Sequence, residues 1–375
     1  MPRGRCAAPR RRRTAYLGVR DSFLAGTTYT HELHRILILR TLMRIPFYLT
    51  QTEPRALLRT ARLAALALAV IGLLPSCSND EEPAAATPAK ITVPQTALSP
   101  EGIQYDEVNK RFIVSSRTQG RIGTVRDDST YTLLADDPRL VSTIGLNLDA
   151  TRQRLLAAVS DAGANTTRST ATTLRKLAAL AIFNPSSGAL LSYVDLGALR
   201  PALPHFANDI AVDAVGNSYI TDSLSPIIYK VDAQGTPTVF LEDAQLSGGT
   251  GFGLNGIVYH PDGYLLVAKS NDGTLFKVPL ANPTGFTTVA STQSLLGADG
   301  LLLLNGTTLL VVAGSQRTVF RMATSDNWAT TSPTGSFATG AVNPTTITSR
   351  NFNEAFVLYP YTATAPRFAI TKAVF

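Results

Sequence analysis

The chain repeats one short motif six times, and each copy opens a strand-like segment: Glu101-Gly102-Ile103, Ile144-Gly145-Leu146, Asn208-Asp209-Ile210, Asn255-Gly256-Ile257, Asp299-Gly300-Leu301 and Thr345-Thr346-Ile347. The middle residues are separated by 43, 64, 47, 44 and 46 positions. A repeat of this length that contains only strand-like segments is typical of the blades of a β-propeller. The sequence therefore predicts an all-β fold, a six-bladed β-propeller over residues 90–375.

A second apolar segment follows each motif after a turn, at residues 111–115, 155–160, 218–222, 264–269, 308–313 and 355–359. Turn residues separate the two segments, as expected for hairpins. Residues 90–94 and 367–374 are expected to pair within the last blade and close the ring, which would cover both sheet edges. The longest interval contains residues 161–176, rich in Thr and Ser, and we expect a hairpin extension there.

The charge of the chain is unevenly distributed. Its 34 Lys and Arg residues exceed its 27 Asp and Glu residues, a net charge of +7. Residues 1–62 alone contain 13 arginines and carry a net charge of +10, so residues 63–375 carry −3. The repeat region therefore lacks the basic surface that nucleic-acid binding requires, and no nucleic-acid partner is expected.

Cysteine and histidine limit the kinds of metal site. Cys6 and Cys77 are the two cysteines, and His205 and His260 are the two histidines of the repeat region. A disulfide framework, a cysteine zinc site and a histidine-rich site are thus excluded from the repeats. A metal bound there would need oxygen ligands, which favours hard cations such as Ca²⁺.

An export signal precedes the repeats. Arg55, Arg59 and Arg62 lead into the apolar run 63–74, which is too short to span a membrane and ends at Pro75-Ser76-Cys77. Leu74-Pro75-Ser76-Cys77 resembles the bacterial lipobox, and the resemblance implies lipidation of Cys77. Two or more acyl chains would give a stable anchor. An ordinary signal peptide that contains a cysteine, or a buried helix, is the alternative.

These features divide the N-terminal part into three segments. Residues 43–76 are interpreted as a lipoprotein signal peptide and residues 77–89 as an acidic and Ala/Pro-rich tether. Residues 1–42 are interpreted either as the product of a translation start assigned too far upstream or as a disordered segment. The acidic run after Cys77 resembles the export tag of some surface lipoproteins of Gram-negative bacteria. We expect an exported bacterial lipoprotein on the outer membrane or the cell surface, in contact with the membrane only through its lipid.

The residues that open the six motifs are expected to converge on the propeller axis, because the innermost strand of every blade runs along it. Four of them carry a carboxylate or carboxamide oxygen, namely Glu101, Asn208, Asn255 and Asp299. Two carboxylates and two carboxamides suit Ca²⁺, with another divalent cation as the variant. The alternative is that these residues only form turns.

Four motifs in blade order carry a resemblance: Pro100-Glu101-Gly102, Asn208-Asp209-Ile210, Leu254-Asn255-Gly256 and Ala298-Asp299-Gly300. Over about residues 95–375 the chain resembles the six-bladed propellers of the senescence-marker-protein, gluconolactonase and luciferin-regenerating-enzyme family, with the paraoxonases as more distant relatives. The resemblance implies that Glu101, Asn255 and Asp299 hold a divalent metal. It also implies that Asn208 contacts substrate or metal and that Asp299 acts as a base.

The substrate pocket follows the family less closely than the metal centre does. Ile144 opens the second repeat, so the histidine pair typical of paraoxonases has no counterpart. The residues that read sugar-lactone hydroxyls in gluconolactonases cannot be placed. His205, three residues before Asn208, and Asp209 are assigned to substrate binding, although His205 also fits an ordinary loop histidine. His260 is expected to face solvent.

These observations predict a Ca²⁺-dependent lactonase, a carboxylic ester hydrolase that acts on a small-molecule lactone or ester, with Asp299 as the base. No Gly-x-Ser-x-Gly motif supports a serine hydrolase instead. The alternative is a non-catalytic propeller that binds a ligand or a protein and keeps its ion for structure.

Overall fold

The structure is a computed structural model, and it describes residues 87–351, 354–361 and 367–375. The predicted start (1–42), the signal segment (43–76), Cys77 and the tether up to residue 86 lie outside these residues. Within the described ranges, no helix is both long enough and apolar enough to cross a membrane.

The described chain is nearly all-β. The first strand, β1, covers Lys90–Thr96. Three antiparallel four-stranded sheets follow along the chain: β2–β5 (Ile103–Asp106, Arg111–Val114, Ile122–Val125, Tyr131–Ala135), β6–β9 (Ser142–Asp149, Arg154–Ser160, Ala178–Phe183, Leu190–Asp195) and β10–β13 (Ala207–Val212, Ser218–Asp222, Ile227–Val231, Pro237–Glu242). Four short 3₁₀ helices lie between strands: Gly197–Leu199, Ala244–Leu246, Pro283–Gly285 and Gly314–Gln316.

An eight-stranded sheet comes next. It contains two antiparallel meanders, β14–β17 (Leu254–His260, Tyr264–Lys269, Thr274–Pro279, Thr287–Ser291) and β18–β21 (Ala298–Asn305, Thr308–Ala313, Thr318–Ala323, Thr330–Ala338). A short parallel pairing of β17 with β21 joins them, at Ala290 with Thr330 and Ser291 with Thr331. The predicted second strands are confirmed: β11, β15 and β19 have the predicted bounds, and β3 and β7 differ from them by one residue.

The last sheet joins the two ends of the described chain. It contains β22–β24 (Ile347–Arg350, Glu354–Tyr359, Arg367–Ala373), and β1 pairs antiparallel with β24. Lys90 lies opposite Thr371 and Val93 opposite Phe368. The predicted pairing of residues 90–94 with 367–374 is confirmed. Both strands gain a hydrogen-bonded partner that neither would have as a free edge.

The first strands of the repeats form a closed ring. β2, β6, β10, β14, β18 and β22 each contact the next, and β22 contacts β2. Apolar clusters fill the spaces between neighbouring sheets. For example, Phe112 of β3 packs edge-on against Phe356 of β23, with the ring centroids 5.1 Å apart. The repeats are thus held side by side by buried apolar surface around a central channel.

The glycines of the motif permit the close approach of these inner strands. A Cβ built on Gly102 would lie 2.3 Å from Ile144 O, and one on Gly256 would lie 2.1 Å from Asp299 O. A Cβ on Gly145 would likewise meet Asn208 O, and one on Gly300 would meet the Oγ1 and Cα of Thr346. Real Cβ atoms do not approach other atoms so closely, so these four positions need glycine.

Replacing Gly256 with Ala is expected to lower the free energy of unfolding by about 1–3 kcal/mol, because the added methyl group must push two inner strands apart. Gly251→Ala is the matched control, since its Cβ would meet only Gly248 O, at 3.9 Å. Urea denaturation measures both. Equal stability of the two variants would contradict the close packing of the ring.

Residues 161–176 do not form the predicted hairpin extension, and within the described chain this segment contains turns and no strand. The Asp161 carboxylate accepts hydrogen bonds from Gly163 N (2.8 Å), Ser169 Oγ (2.8 Å) and Thr173 Oγ1 (2.7 Å). The prediction was wrong because the hydroxyl groups bond to a local carboxylate, which leaves this backbone in turns.

Candidate functional site

A cavity of about 680 Å³ lies inside the ring of inner strands. It extends from the motif residues to the β2–β3 turn at Glu107 and Val108. All four residues predicted as metal ligands line it: Glu101, Asn208, Asn255 and Asp299. Glu101, Asn208 and Asn255 are buried, whereas Asp299 is partly exposed.

The other two opening residues do not line this cavity. Ile144 is buried in the apolar cluster between the second and third sheets. Thr345 donates a hydrogen bond from Oγ1 to Glu101 O (3.1 Å). The structure therefore separates the four carboxylate and carboxamide positions, which line the cavity, from Ile144 and Thr345, which serve packing and backbone bonding.

β-Bulges set the direction of the motif side chains. The pairing of the first with the second strand shifts register between Thr143 and Leu146, Ala207 and Ile210, Leu254 and Ile257, and Ala298 and Leu301. Each shift contains the first two motif residues. A bulge releases residues from the regular ladder and re-aims their side chains, as is common beside functional sites.

Asn208 is oriented by a serine of the second strand. Its Nδ2 donates to Ser223 Oγ (2.8 Å), and Ser223 Oγ donates its single proton to Leu254 O in the next repeat. Since Ser223 can only accept from Asn208, the amide nitrogen must face the serine and the amide oxygen must face away from it. Among the described residues, no partner bonds to the buried Asn208 Oδ1.

The serine–amide arrangement recurs in the fourth repeat, where Asn255 Nδ2 donates to Ser270 Oγ (3.0 Å) and Ser270 Oγ donates to Ala298 O. In the first repeat a serine at the equivalent place bonds to the backbone instead: Ser115 Oγ accepts from the N–H groups of Glu101 (3.2 Å) and Gly102 (2.8 Å). These serines were not predicted from the sequence, although each follows its opening residue by 14 or 15 positions.

Asp209 lines the cavity beside the four predicted ligands. Its carboxylate accepts from Ile210 N (2.9 Å) and from Ile257 N of the next repeat (3.3 Å). The position predicted for substrate binding is therefore inside the channel, and its carboxylate also ties two inner strands together.

His205 lies outside the cavity lining and is buried, with 1% of its surface exposed. Its Nδ1 lies 2.8 Å from Asp222 Oδ2 and 3.0 Å from Tyr229 Oη, and its Nε2 lies 2.9 Å from Arg200 O. Burial opposes its charged form most strongly, but the hydrogen bond and charge of Asp222, the bond to Arg200 O and the charge of Asp195 together raise the pKa of His205. Both ring nitrogens are engaged within the third repeat, which favours a structural role over the predicted substrate contact.

His260 is also buried, contrary to expectation. Its ring stacks on Tyr264 with the centroids 4.2 Å apart, and its Nε2 lies 2.9 Å from Gly306 O. The turn that contains it packs against the neighbouring repeat, so the prediction of a solvent-facing histidine was wrong.

Three carboxyl groups share the inner end of the cavity. Burial raises the pKa of Asp209 to about 7, although hydrogen bonds from Ile210 and Ile257 lower it in part. Burial and the charge of Asp209 raise the pKa of Asp299 to about 8, against a hydrogen bond from Asn255 and the charge of Arg117. Burial and the charges of Asp299 and Asp209 raise the pKa of Glu101 well above its usual value.

The donor set fits an oxygen-liganded cation. Within the described part of the chain, no three His, Cys, Asp or Glu side chains form a group that could hold a metal by themselves. Glu101 and Asp299 supply carboxylates, however, and Asn208 and Asn255 supply carboxamides, a mixture that Ca²⁺ accepts. The unpartnered Asn208 Oδ1 and the crowded carboxyl groups both favour a positive charge between them.

No protein-family model and no curated protein matches the chain. The Malassezia sympodialis allergen Mala s 1 is similar with a TM-score of 0.63 and 18% identity, over 77% of this chain and 97% of the allergen. A Xanthomonas campestris gluconolactonase is similar with a TM-score of 0.53 and 17% identity, over 76% of this chain and 89% of the gluconolactonase. A luciferin-regenerating enzyme is similar with a TM-score of 0.52 and 11% identity, over 75% of this chain and 94% of the enzyme.

The last two structures are propellers. The described chain is a β-propeller. At these sequence identities the similarity concerns the fold alone. The activity of this chain must be argued from the residues of its own channel.

Proposed function

We propose that the propeller has six blades. The eight-stranded sheet then counts as two four-stranded blades, because only two residue pairs of β17 and β21 join its meanders. The six inner strands that contact one another around the channel support this count.

We further propose that the propeller is a divalent-metal-dependent hydrolase of lactones or related esters. The observation that carries the proposal is the buried Asn208 Oδ1, which lacks a partner among the described residues and lies on the same cavity as Glu101 and Asp299. An unpaired buried acceptor costs about 1–3 kcal/mol, so its retention requires a compensating role.

The residues of the channel would have three roles: binding the ion, orienting its ligands and accepting a proton. Glu101, Asn208, Asn255 and Asp299 would hold the ion, which when bound polarises a substrate carbonyl and stabilises negative charge on its oxygen. Ser223 and Ser270 hold the amides of Asn208 and Asn255 in orientation. Asp299 is partly exposed to the cavity and would take a proton from the attacking water.

The test is a panel of lactones and aryl esters, assayed with Ca²⁺ and after chelation, while circular dichroism follows the β-structure. We expect hydrolysis that is lost on chelation and regained with Ca²⁺, while the circular dichroism of the β-structure stays unchanged. A protein that turns over nothing and melts when chelated would instead be a binding propeller with a structural ion. One observation favours that alternative: among the described residues lining the cavity, no histidine is available as a base.

Replacing Asn208 with Leu is expected to weaken Ca²⁺ binding roughly tenfold, because one buried ligand oxygen is lost. The metal-free protein should keep its stability, since the variant also removes an unpaired buried acceptor. Calorimetric titration and urea denaturation measure the two effects, and Asn217→Leu, in a surface turn away from the cavity, is the control for affinity. Unchanged affinity in Asn208→Leu would remove Asn208 from the ligand set.

The predicted export signal leads to a separate proposal, that the protein is a lipoprotein anchored through Cys77. Cys77→Ser is expected to abolish partitioning into the detergent phase and to shift the protein from the membrane to the soluble fraction. A variant that still partitions like the parent would show that another segment anchors the protein.

A further inference from the structure

One ring of residues in the wall of the cavity has a polar half and an apolar half. Two residues after the middle motif position, each inner strand contributes one lining residue, in ring order Gln104, Asn147, Ala211, Val258, Leu302 and Thr348. Thr348, Gln104 and Asn147 come from consecutive inner strands across the closure of the ring, and Ala211, Val258 and Leu302 come from the three others. A ligand in this ring therefore meets hydrogen-bonding groups on one side and hydrocarbon on the other.

The polar half offers mainly acceptors. Gln104 Nε2 donates to Leu146 O (2.9 Å), and Asn147 Nδ2 donates to Ile210 O (3.1 Å). Each amide nitrogen uses one of its two N–H donors on the backbone of the next inner strand, whereas the amide oxygen keeps both of its lone pairs for a ligand. A ligand that matches this side must bring its own donors, as hydroxyl or amine groups do.

The cavity contains no positive side chain. Among the described residues that line it, none is Lys, Arg or His, whereas Glu101, Asp209 and Asp299 gather at its inner end. Nearer the mouth, Asp106 is paired with Arg111 at 3.2 Å and Glu107 with Lys110. Three inner carboxylates outnumber the charges of one divalent ion, so the cavity stays non-positive when an ion is bound.

We propose that the cavity takes an amphipathic ligand, uncharged or cationic, with one apolar side and one side bearing hydroxyl or amine donors, and that it rejects anionic ligands of the same shape. An anion would lose its water without gaining a cationic partner, and it would face carboxylates. The inference deepens the proposed function by naming the substrate class of the same cavity, but its test needs no turnover.

The test uses three unreactive probes with one hydrocarbon frame, 2-indanol, 2-aminoindane and indane-2-carboxylate, titrated calorimetrically into the Ca²⁺-saturated protein. We expect the alcohol and the ammonium probe to bind at least roughly tenfold more tightly than the carboxylate. The affinity of the ammonium probe should also fall with added NaCl. Equal or tighter binding of the carboxylate, or no binding of any probe, would overturn the proposal.

A labelling experiment places the probes in the cavity. The alkylation of Leu302→Cys by iodoacetamide should slow several-fold with 2-aminoindane and be unaffected by the carboxylate. Leu133→Cys, on an outer strand with 49% of the Leu133 surface exposed, is the control whose rate should not change. If Leu302→Cys does not fold, Val258→Cys at the same ring position replaces it. Binding without protection of either cysteine would place the probes elsewhere and contradict the inference. A failed lactone assay would leave these results standing and would refute only the proposed hydrolysis.

Discussion

Replacing Asp299 with Asn is expected to lower lactone turnover at saturating Ca²⁺ by roughly 10²–10⁴, the contribution of a positioned base. The variant keeps the size of the side chain and one ligand oxygen but loses both charge and basicity. Asp299 is suited to this role because it lines the cavity and remains partly exposed. Burial and the neighbouring Asp209 charge raise its pKa to about 8 in the metal-free protein, and a bound divalent ion would keep the carboxylate ionised and able to accept a proton.

The control for this variant is Ile144→Val, which changes an opening residue of the same motif without touching the cavity lining. Its turnover and Ca²⁺ affinity should match those of the parent. Should Asp299→Asn hydrolyse lactones as fast as the parent once Ca²⁺ is saturating, Asp299 would be a ligand only, and another group would have to activate water.

Calcium affinity is expected to rise by roughly 100-fold between pH 6 and pH 8, because the ion must displace protons from the carboxyl groups that hold it. Burial and the charge of Asp209 raise the pKa of Asp299 to about 8, so this group retains its proton in the metal-free protein at pH 6. The pKa of Glu101 is raised in the same direction by burial and by the charges of Asp299 and Asp209. Each displaced proton changes the affinity up to about tenfold per pH unit. Calorimetric titrations at pH 6, 7 and 8 measure the slope.

The same carboxyl groups determine how stability changes with pH. Their pKa values are higher in the folded than in the unfolded chain, so the folded chain holds more protons between about pH 4 and pH 8. The metal-free protein should therefore lose stability as pH rises through this window, and Ca²⁺ should restore it at pH 8. An affinity that is flat from pH 6 to pH 8 would show that the ion does not bind to these carboxyl groups.

The repeat pattern and the strands were predictable from sequence because their signals are local. The alternation of apolar residues and the turn residues around Gly216 and Gly263 place the hairpins, and both glycines adopt positive φ in turns. The pairing of β1 with β24 was also predictable, since the last repeat needed a partner for its free edge. Residues 161–176 were not, because their hydroxyl groups bond to Asp161 rather than to a strand.

The four proposed ligands that line the cavity were predictable from the sequence, whereas the hydrogen bonds that orient them were not. Glu101, Asn208, Asn255 and Asp299 recur at one register, and the ring of strands brings them to one cavity. The orientation of Asn208 by Ser223 depends on a hydrogen bond from Ser223 to a carbonyl of the next repeat, a long-range contact that no local pattern specifies. The burial of His205 likewise depends on Asp222 and Tyr229, which reach it from two other strands.

Anomalous diffraction from crystals grown with Ca²⁺ or Mn²⁺ would show directly whether one divalent cation binds where Glu101, Asn208, Asn255 and Asp299 meet. We expect one anomalous peak in the cavity beside these residues. For Ca²⁺, oxygens of these four side chains should lie about 2.3–2.6 Å from it. A water molecule on Asn208 Oδ1 and no anomalous peak in the channel at millimolar Ca²⁺ would show that these residues do not form a metal site.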